Sequence, residues 1–461
     1  MHKQRYAAVY ALLLGLLAVA AWLRLRDLGA DSVWYDEAAS WLQSKGSLGQ
    51  LIAGTARDNY PPLHNLLLYT AINIAGTDTE WVLRLPSALL GIANVIAIYW
   101  LGVLVGGRVA GVLAAAILTA SSMHIYFSQE ARMYSLLALA ATLYAASAFH
   151  FAAAPTRSRA VLVAASGLAL VYSHPFGTLN WIAITIGISI NILQTPDFPR
   201  RNLAQWIKAN AVIAIGFLPW AIVLMRRIGV VAGRFWVPFP SVDYVYAQIN
   251  WLCGGPLAAV VLLAAGAIAL RTHTRVARVL LVWLIGPFAV ALLVSLLTST
   301  HILNGRYLIG ELPALATLAA LGMASLAARP QWWMKAVAAT LLAVAATGNL
   351  TSVPTPRDDW RKVAGYLHTR LQGSDCVLVY PASQAKGLLY YLRRPFCSIR
   401  APRVASLDFQ GLGASRLFTV FVASTPNQDI GTLREKLKAF GREGESLTVQ
   451  NLTIVEYVRQ P

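Results

Sequence analysis

Acidic residues are scarce in this 461-residue chain, which holds 20 aspartates and glutamates against 38 lysines and arginines and carries a net charge of +18. Charged residues of both signs make up 13%, about half the usual share in soluble proteins, and hydrophobic residues make up 57%. The mean hydropathy is +0.56. With apolar runs recurring along the chain, this composition excludes an ordinary soluble protein and indicates a polytopic membrane protein with helical spans.

Cysteine is also scarce, with three in the chain and no Cys/His cluster of zinc-site spacing. Cys253 lies in an apolar stretch, so only Cys376 and Cys397 are placed to meet. An oxidising compartment would permit a disulfide between them, but their spacing does not demand one. No G-x-G-x-x-G or Walker-type loop occurs near the C-terminus, which leaves nucleotide binding unsupported. No basic tract is dense enough for a nucleic-acid arm.

About eleven apolar segments have the length expected of membrane-spanning helices. The first follows three basic residues, His2, Lys3 and Arg5, so a cleaved signal peptide is the alternative to an uncleaved anchor. The segments lie at about 7–23, 86–105, 109–126, 134–154, 159–174, 176–193, 209–225, 251–270, 277–298, 307–327 and 332–350.

Basic residues fall in alternate loops from residue 155 onward, which predicts that those loops are cytoplasmic and that the C-terminus lies on the other side. With a cytoplasmic N-terminus, residues 24–85 form one large external segment. Within it, residues 61–76 are too short and too polar for a clear span, so we interpret them as an interfacial or half-inserted helix. A true span there would require a later segment to be re-entrant.

The composition changes near Thr355, where helical stretches begin to alternate with strand-like ones such as "CVLVY" and "LFTVFVA". The predicted fold class is therefore an all-α polytopic membrane domain with a small C-terminal α/β domain outside the membrane. The membrane domain covers residues 1–350, with about 11 transmembrane helices and interfacial helices in the external loop 24–85, and the α/β domain covers 355–461.

The first external segment holds a disproportionate share of the acids. Asp36 and Glu37 stand out because Trp34, Tyr35 and Trp41, aromatics typical of a bilayer interface, surround them. A carboxylate held there is partly desolvated and therefore a stronger base. The alternative role of Asp36 is the N-cap of the helix that follows. Four other acids of the segment are expected simply to solvate a loop: Asp27, Asp31, Asp78 and Glu80.

Two further stretches carry acidic, aromatic or histidine residues that are candidates for the site. In "RDNYPPLHNLL", Asp58, Tyr60 and His64 are candidates for acceptor contacts or metal ligands, and a packed, satisfied histidine is the alternative. In "FSQEARMYS", Glu130 and Arg132 lie at the mouth of two spans, where charges are costly unless paired or functional. A structural ion pair between them is the alternative.

Arginines also precede spans on the predicted external side. Arg84 in "EWVLRLPS" and Arg306, followed by Tyr307, in "NGRYLIGELP" run against the positive-inside rule, which predicts an anionic partner. A phosphate ligand and a lipid headgroup both fit. For His174 in "YSHPFG", packing at the interface is the favoured interpretation.

These motifs, in this order, resemble those of the membrane-embedded GT-C glycosyltransferases, in the branch of the protein O-mannosyltransferases and the lipid A aminoarabinose transferase (glycosyltransferase family 39-like). The matching stretches are W-Y-D-E-A, Y-P-P-L-H, R-L-P-S, F-S-Q-E-A-R-M-Y-S and R-Y-L-I-G-E-L-P. The resemblance covers residues 1–155 well and 300–400 loosely, where "DDWRKVAGYL" is also similar.

The resemblance implies a hexosyl or pentosyl transferase that moves a sugar from a polyprenyl-phosphate carrier to an envelope glycan, lipid or protein. It also implies multi-pass insertion in the cytoplasmic (inner) membrane, with the active site and the C-terminal domain on the extracytoplasmic side. Asp36 matches the family's catalytic acid, the general base, and Glu130 matches a second acidic position, with Arg132 beside it. At Asp58 and Tyr60 the sequence departs from relatives, which often have His or Lys there. Relatives differ in needing a divalent metal ion, so no cofactor is certain.

A leaving phosphate needs positive charge rather than a proton, and Arg84, Arg132 and Arg306 are candidates to supply it. One base opposite that phosphate predicts single displacement with inversion. Two other functions also fit many spans and external arginines: a transporter or flippase of lipid-linked sugars, and a non-catalytic envelope-assembly protein. A transporter would normally carry acids or broken helices near the bilayer midplane, and these spans are nearly free of charge.

Overall fold

The computed structural model describes residues 2–58, 60–196, 198–232, 237–351, 358–393, 397–399, 407, 409, 412–423 and 427–460. Its first helices are α1 (His2–Leu25), α2 (Tyr35–Ser44), α3 (Leu48–Asp58), α4 (Leu63–Ala75), α5 (Glu80–Ala120), α6 (Ser122–Ser128), α7 (Tyr134–Ala153), α8 (Arg157–Val171) and α9 (Pro175–Leu193). There follow α10 (Arg200–Ala232), α11 (Val242–Cys253), α12 (Pro256–Thr272), α13 (Thr274–Leu297), the 3₁₀ helix Gly305–Gly310, α14 (Leu312–Ala327) and α15 (Trp332–Thr351).

The C-terminal part mixes strands and helices. It contains α16 (Trp360–Arg370), β1 (Cys376–Tyr380), the 3₁₀ helix Ala382–Gln384, α17 (Ala385–Leu392), β2 (Cys397–Ile399), β3 (Arg416–Val422), α18 (Asn427–Phe440), β4 (Gly441–Val449) and β5 (Leu452–Arg459). The predicted change from helical spans to an α/β domain is confirmed. The predicted boundary near Thr355 lies among residues 352–357, outside the described residues.

Each predicted span has a helical counterpart, and the protein is a multi-pass membrane protein. Among the described residues, α5, α7, α9, α10 and α13 are long and apolar enough to cross a bilayer, and α11 with α12 forms a pair bent by 73°. Shorter apolar helices lie in α1, α4, α14 and α15. Helix α5 contains two predicted spans, 86–105 and 109–126. The non-helical backbone of Gly107, at φ 79°, breaks the helix between them. Helix α4 has 13 residues, about 20 Å, which is short of the roughly 30 Å of a hydrocarbon core.

The described chain divides into two compact units that do not follow the sequence order. The helical unit comprises residues 2–26, 47–75 and 84–351, and the sheet unit comprises residues 27–46, 76–83 and 358–460. The segment 24–85, which was predicted to be external, is therefore shared between the units. Its middle, with α3 and α4, belongs to the helical unit, whereas α2 and residues 76–83 belong to the sheet unit.

The helical unit is built around α7, which is buried along almost its whole length. Its alanines and small polar residues let neighbouring helices approach closely, as is usual where helices pack within a membrane. Helices α8 and α9 pack on α7, and α12 packs along α14. The buried apolar side chains of these helices form one continuous core.

Gly322 marks a close approach of α14 to α12. A Cβ at this position would collide with the backbone carbonyl of Ala265, which cannot move aside as a flexible side chain would. We expect Gly322→Ala to force the two helices apart, at a cost of about 1–3 kcal/mol, and to lower the melting temperature of the detergent-solubilised protein. Gly229→Ala in α10 is the matched control, because a Cβ there meets no atom within 4 Å. Equal melting temperatures for the two variants would contradict this packing.

The sheet unit is a three-layer α/β structure. Its five strands run in the order β2-β1-β3-β5-β4, with β1 parallel to β2 and β3, and with β5 antiparallel to β3 and β4. Alternate residues of β1 face opposite sides, as the strand period of two requires. Leu378 joins the core beneath α18, whereas Val377 and Val379 join the core beneath α16 and α17. Cys376 and Cys397, neighbours in the pairing of β1 with β2, form a disulfide.

Candidate active site

The loop between α6 and α7 carries the two charged residues of the "FSQEARMYS" stretch. Glu130 and Arg132 are both buried, at 0% and 4% exposure. The loop is fixed at its entrance, where the Gln129 amide donates to the carbonyl oxygens of Leu23 and Arg26 at 3.2 and 2.9 Å. It is fixed again at its exit, where the Ser87 hydroxyl donates to the Arg132 carbonyl at 3.2 Å. These contacts hold both charged side chains inside the helical unit.

Arg132 lies against a group of aromatic and imidazole rings. Its guanidinium is 5.1 Å from the centre of the Tyr60 ring, a cation–π distance. The Tyr60 ring lies 5.5 Å from His174, and His174 lies 5.1 Å from Tyr307 and 6.0 Å from Tyr134. The structure thus brings Tyr60, Arg132 and Tyr307, three predicted site residues from distant parts of the chain, into one cluster.

Arg306 and Tyr307 reach this cluster from the 3₁₀ helix that precedes α14. The Asn304 side chain caps that helix by accepting from the Arg306 backbone N–H at 3.1 Å, and the Gln248 side chain accepts from Gly305 N–H at 2.7 Å. Tyr307 is buried, whereas Arg306 is partly exposed. The arrangement places a second guanidinium in electrostatic range of His174.

The imidazole between these arginines stays neutral. His174 lies in the turn between α8 and α9, where its Nδ1 accepts from Phe176 N–H at 3.0 Å and caps α9. Burial, and then the charges of Arg132 and Arg306, lower the pKa of His174 to about 3. Its Nε2 is buried without a hydrogen-bond partner among the described residues. Two cations around a neutral, hydrogen-bonding ring form a site suited to an anion.

The remaining predicted residues of the helical unit occupy nearby elements. His64 is buried in α4 within electrostatic range of Arg132. Asp58 is half-buried at the end of α3. Arg84 is buried in the first part of α5, 1% exposed, one turn before Ser87. The contacts therefore define one part of the candidate site, which consists of His64, Arg132 and the tyrosines of the cluster.

Asp36 and Glu37 lie in the sheet unit, in the first turn of α2. The alternative that Asp36 is the N-cap is wrong, because α2 begins at Tyr35 and Trp34 is the capping residue. Glu37 is fully buried, and its Oε2 accepts from Trp34 N–H at 3.4 Å. Asp36 is half-buried. The helix dipole stabilises carboxylates in the first turn of a helix. This local effect favours both acids at the start of α2.

The expectation that Asp78 and Glu80 merely solvate a loop is wrong. Asp78 pairs with Arg393 at 2.8 Å, and Glu80 pairs with Arg361 at 2.8 Å; the two carboxylates are only about one-fifth exposed. Arg361, from the "DDWRKVAGYL" stretch, also donates to the carbonyl oxygens of Gly29 and Ala30 at 3.1 and 3.0 Å. These contacts bind the segment before α2 to the C-terminal α/β structure within the sheet unit.

The ion pair between Glu80 and Arg361 predicts that the free energy of unfolding depends on pH. Burial alone would raise the pKa of Glu80, but hydrogen bonds from its own backbone, Arg361 and Tyr391 outweigh burial and lower it. A carboxylate with a lowered folded pKa stabilises the fold above its ordinary value of 4.5, and this contribution is lost as the pH falls through the folded pKa. We expect Glu80→Gln to cost about 1–3 kcal/mol at pH 7.

Thermal melts at a series of pH values measure this effect. The melting curves of Glu80→Gln and the wild type should converge as the pH falls below 4.5. Glu445→Gln is the control, because the Arg370–Glu445 pair is exposed and contributes little. A difference between Glu80→Gln and the wild type that does not depend on pH would contradict the prediction.

No protein-family model matches the chain, and no curated protein sequence matches it. Solved structures do. Apo ArnT from Cupriavidus metallidurans matches with a TM-score of 0.67 and 14% identity, over 97% of this chain and 98% of ArnT. ArnT bound to undecaprenyl phosphate matches with a TM-score of 0.62 and 15% identity, over 99% of this chain and 98% of ArnT. The archaeal oligosaccharyltransferase AglB from Archaeoglobus fulgidus, in complex with an inhibitory peptide and a dolichol-phosphate, matches with a TM-score of 0.61 and 10% identity, over 97% of this chain and 74% of AglB.

The chain has a GT-C fold. The predicted resemblance is thus confirmed at the level of fold. The GT-C match extends over both units, although the sequence resemblance was clear only in residues 1–155 and looser in 300–400.

Two residues of the cluster in this GT-C chain were not predicted as site residues: His174, for which packing was the favoured interpretation, and Tyr134. His174 precedes Pro175, so the only local signal was the start of a helix. A buried network was likewise not predicted: Arg24 donates to His124 Nδ1 at 2.8 Å and to the Leu118 carbonyl at 3.0 Å. The Asn94 side-chain amide nitrogen lies 3.0 Å from the other ring nitrogen of His124, Nε2. This network joins the ends of α1 and α5 to α6, directly before the Glu130 loop.

A divalent metal ion was left open by the sequence. Within the parts of the chain that the structure describes, no group of three or more His, Cys, Asp or Glu side chains is placed to hold one. His64, considered as a ligand, is instead buried near the positive charge of Arg132. The described residues therefore show no arrangement that fits a divalent metal ion.

Proposed function

We propose that this protein is an integral membrane glycosyltransferase. It moves a hexosyl or pentosyl group from a polyprenyl-phosphate-sugar donor to an extracytoplasmic acceptor, which is a lipid, a glycan or a protein. The GT-C fold over 97% of the chain supports the class of protein. The ArnT structure was obtained with undecaprenyl phosphate and the AglB structure with dolichol-phosphate, which supports a lipid-linked donor.

The observation that carries the proposal is a cationic cluster with a buried centre. It consists of the buried residues Arg132, His174 and Tyr307 and the partly exposed residues Tyr60 and Arg306. A phosphate fits this site because two guanidiniums supply charge, while the tyrosine hydroxyls and the neutral imidazole supply hydrogen bonds. Arg84 is another buried guanidinium on the same unit. Positive charge held rigidly at the donor phosphate stabilises the negative charge that develops as the glycosidic bond breaks.

The proposed reaction is a single displacement. The acceptor hydroxyl oxygen bonds to the anomeric carbon, the bond from that carbon to the phosphate oxygen breaks, and the polyprenyl phosphate leaves with the electron pair. Asp36 takes the hydroxyl proton as general base. Glu130 orients the acceptor. Because the nucleophile approaches opposite the leaving phosphate, the anomeric configuration is inverted.

The other predicted site residues contact the substrates in this proposal. Tyr60, His64 and Tyr307 surround the donor phosphate, since they lie with Arg132. Glu37 and Asp58 are assigned to the acceptor side. Asp36 and Glu37 belong to the sheet unit, whereas the cationic cluster belongs to the helical unit. That the two acids and the cluster act in one reaction is part of the proposal.

We further propose the cytoplasmic (inner) membrane as the location, with the active site and the sheet unit on the extracytoplasmic side. Basic residues in alternate loops support this orientation. The Cys376–Cys397 disulfide supports it independently, because such bonds persist in oxidising compartments and are rare in the cytosol.

Mass spectrometry of envelope lipids, glycans and proteins from cells with and without the protein tests the function. The expected result is one sugar mass that is lost from an envelope component when the protein is absent and restored by the wild type. Purified protein in proteoliposomes should then transfer labelled sugar from the polyprenyl-phosphate donor. Movement of the intact lipid-linked sugar across the bilayer, without transfer, would instead establish a flippase and overturn the proposal.

A further inference from the structure

The proposed reaction gives no role to α11, the short helix that precedes α12. Both of its ends are capped. The Ser241 hydroxyl accepts from the Tyr244 N–H at 3.2 Å at its start, and Gly254, at φ 84°, ends it in the left-handed conformation. The chain then bends by 73° into α12. These caps fix which side chains α11 presents to its neighbours in the helical unit.

One face of α11 holds the chain just before Arg306. Tyr244 and Gln248 are four residues apart and therefore lie on the same face of the helix. The Tyr244 hydroxyl donates to the Leu303 carbonyl at 3.2 Å, and the Gln248 side-chain oxygen accepts from the Gly305 N–H at 2.7 Å. Two backbone groups at the start of the 3₁₀ helix are thus bound to α11.

Asn304 extends these hydrogen bonds to Arg306 itself. Its side-chain amide donates to the Tyr244 hydroxyl at 3.4 Å, and its side-chain oxygen accepts from the Arg306 N–H at 3.1 Å. The Arg306 guanidinium also lies within electrostatic range of Tyr244. One side chain therefore links the tyrosine hydroxyl to the backbone from which Arg306 projects.

The approach of this segment to α11 is close enough to require glycine. A Cβ on Gly305 would lie 2.6 Å from the Gln248 side-chain oxygen and 2.8 Å from the Trp251 ring. Trp251 follows Gln248 by three residues and lies on the same side of the helix. The backbone before Arg306 is thus enclosed by hydrogen bonds and by an aromatic ring.

Trp251 also connects α11 to the other arginine of the cluster. Its ring lies 5.5 Å from that of Phe127 in α6, and Phe127 lies 4.5 Å from Tyr134, just after the loop of Arg132. Helix α11 therefore contacts both the segment that carries Arg306 and the helix that leads to the Arg132 loop. The spacing of the two guanidiniums depends on it.

We propose that Tyr244 and Gln248 are positioning residues for Arg306, which hold its guanidinium where the donor phosphate binds. The assignment rests on the proposed function, in which that phosphate binds the cationic cluster. Hydrogen bonds from a guanidinium to a phosphate oxygen require donor–acceptor distances of about 2.7–2.9 Å, so a small displacement of Arg306 weakens them. Neither positioning residue has to touch the donor itself.

Binding of undecaprenyl phosphate to the full-length protein in detergent tests the inference. Tyr244→Phe and Gln248→Leu should each weaken binding about fivefold, the effect of one lost hydrogen bond. The donor KM should rise by the same factor, with kcat within about twofold of the wild type. Tyr246→Phe is the matched control, because it makes the same change on the same helix at a residue that is 58% exposed. Gln248→Glu should restore binding, since its carboxylate still accepts from the Gly305 N–H.

Combination with Arg306→Gln shows whether the two residues act through Arg306. In the Arg306→Gln protein, Tyr244→Phe and Gln248→Leu should change the affinity by less than about twofold, because no guanidinium is left to position. Residues that touched the phosphate themselves, or that only stabilised the fold, would give losses that multiply. Hydrogen exchange of the unliganded protein tests the contact without any donor: the Gly305 amide should exchange faster in Gln248→Leu than in the wild type.

Three results would overturn the inference: unchanged exchange at Gly305 in Gln248→Leu, wild-type affinity in both single variants, or losses that multiply in the double variants. In each case a wild type that still binds undecaprenyl phosphate leaves the proposed function standing. Failure of the wild type itself to bind this lipid would overturn the proposed function and the inference with it. The wild-type measurement therefore distinguishes the two failures.

Discussion

Asp36→Asn is expected to lower sugar transfer by a factor of about 10²–10⁴, the usual contribution of a general base. Asparagine has the size of aspartate and can donate or accept hydrogen bonds, but it cannot take the acceptor proton. Asp36 is half-buried in the first turn of α2, so the substitution should leave the fold intact. The measurement is the rate of transfer of labelled sugar in proteoliposomes, with the binding of polyprenyl phosphate as a second readout that should not change.

Asp27→Asn is the matched control for this experiment. It makes the same chemical change in the same segment of the sheet unit, at an exposed residue. Asp27 has a φ of 54°, a conformation that asparagine also adopts readily, so the control should fold and transfer normally. Unchanged product formation by Asp36→Asn would assign the base to another residue, and Glu130 would be the next candidate.

Arg132→Gln is expected to weaken the binding of polyprenyl phosphate by about tenfold or more and to raise the donor KM with it. The guanidinium is buried in a cluster in which the imidazole stays neutral, so the positive charge that remains in the cluster is that of the partly exposed Arg306. Arg132→Lys should give an intermediate affinity, because it restores the charge but not the two-pronged geometry that suits a phosphate. Native mass spectrometry with undecaprenyl phosphate measures the binding directly.

Arg278→Gln controls for the general loss of an arginine, since Arg278 is exposed on α13 and its Nε contacts only its own helix, at the Thr274 carbonyl. Thermal melts distinguish a binding defect from misfolding. If Arg132→Gln does not fold, Arg132→Lys still tests the prediction. Wild-type affinity in a folded Arg132→Gln protein would place the donor phosphate elsewhere.

Local patterns predicted much of the fold. The spans follow from the length of apolar runs, and the break in α5 lies between the predicted spans 86–105 and 109–126. The α/β nature of the C-terminal part follows from strand-like runs such as residues 376–380, which form β1. These features depend on residues close together in the chain, which is why a single sequence contains them.

The contacts of the candidate site were only partly predictable. The motifs nominated Tyr60, Arg132 and Tyr307, but no pattern indicated that His174 would lie among them. Asp78 and Glu80 appeared to be loop acids, because Arg393 and Arg361, their partners, lie about three hundred residues later in the chain. Sequence spacing carries no information on which distant side chains fill the same space.

The boundary between the units shows the same limit. Composition predicts a domain boundary near residue 355. In the structure, however, residues 27–46 and 76–83 pack with the C-terminal α/β structure. The anchors are tertiary contacts, such as the bond from the Val33 N–H to the Tyr391 hydroxyl at 2.7 Å. A domain assembled from separate chain segments leaves no compositional signal at its joints.

The sequence by itself determined that this chain inserts in a membrane, where it turns and which motifs carry charge, because transfer into lipid and local backbone preferences act on neighbouring residues. Only the tertiary structure decided that Arg132 and Arg306 share an aromatic cluster with a neutral histidine, and that α2 is fastened to the mixed sheet. The reason is physical: burial, ion pairing and ring packing depend on distances in space, which the folded chain alone sets.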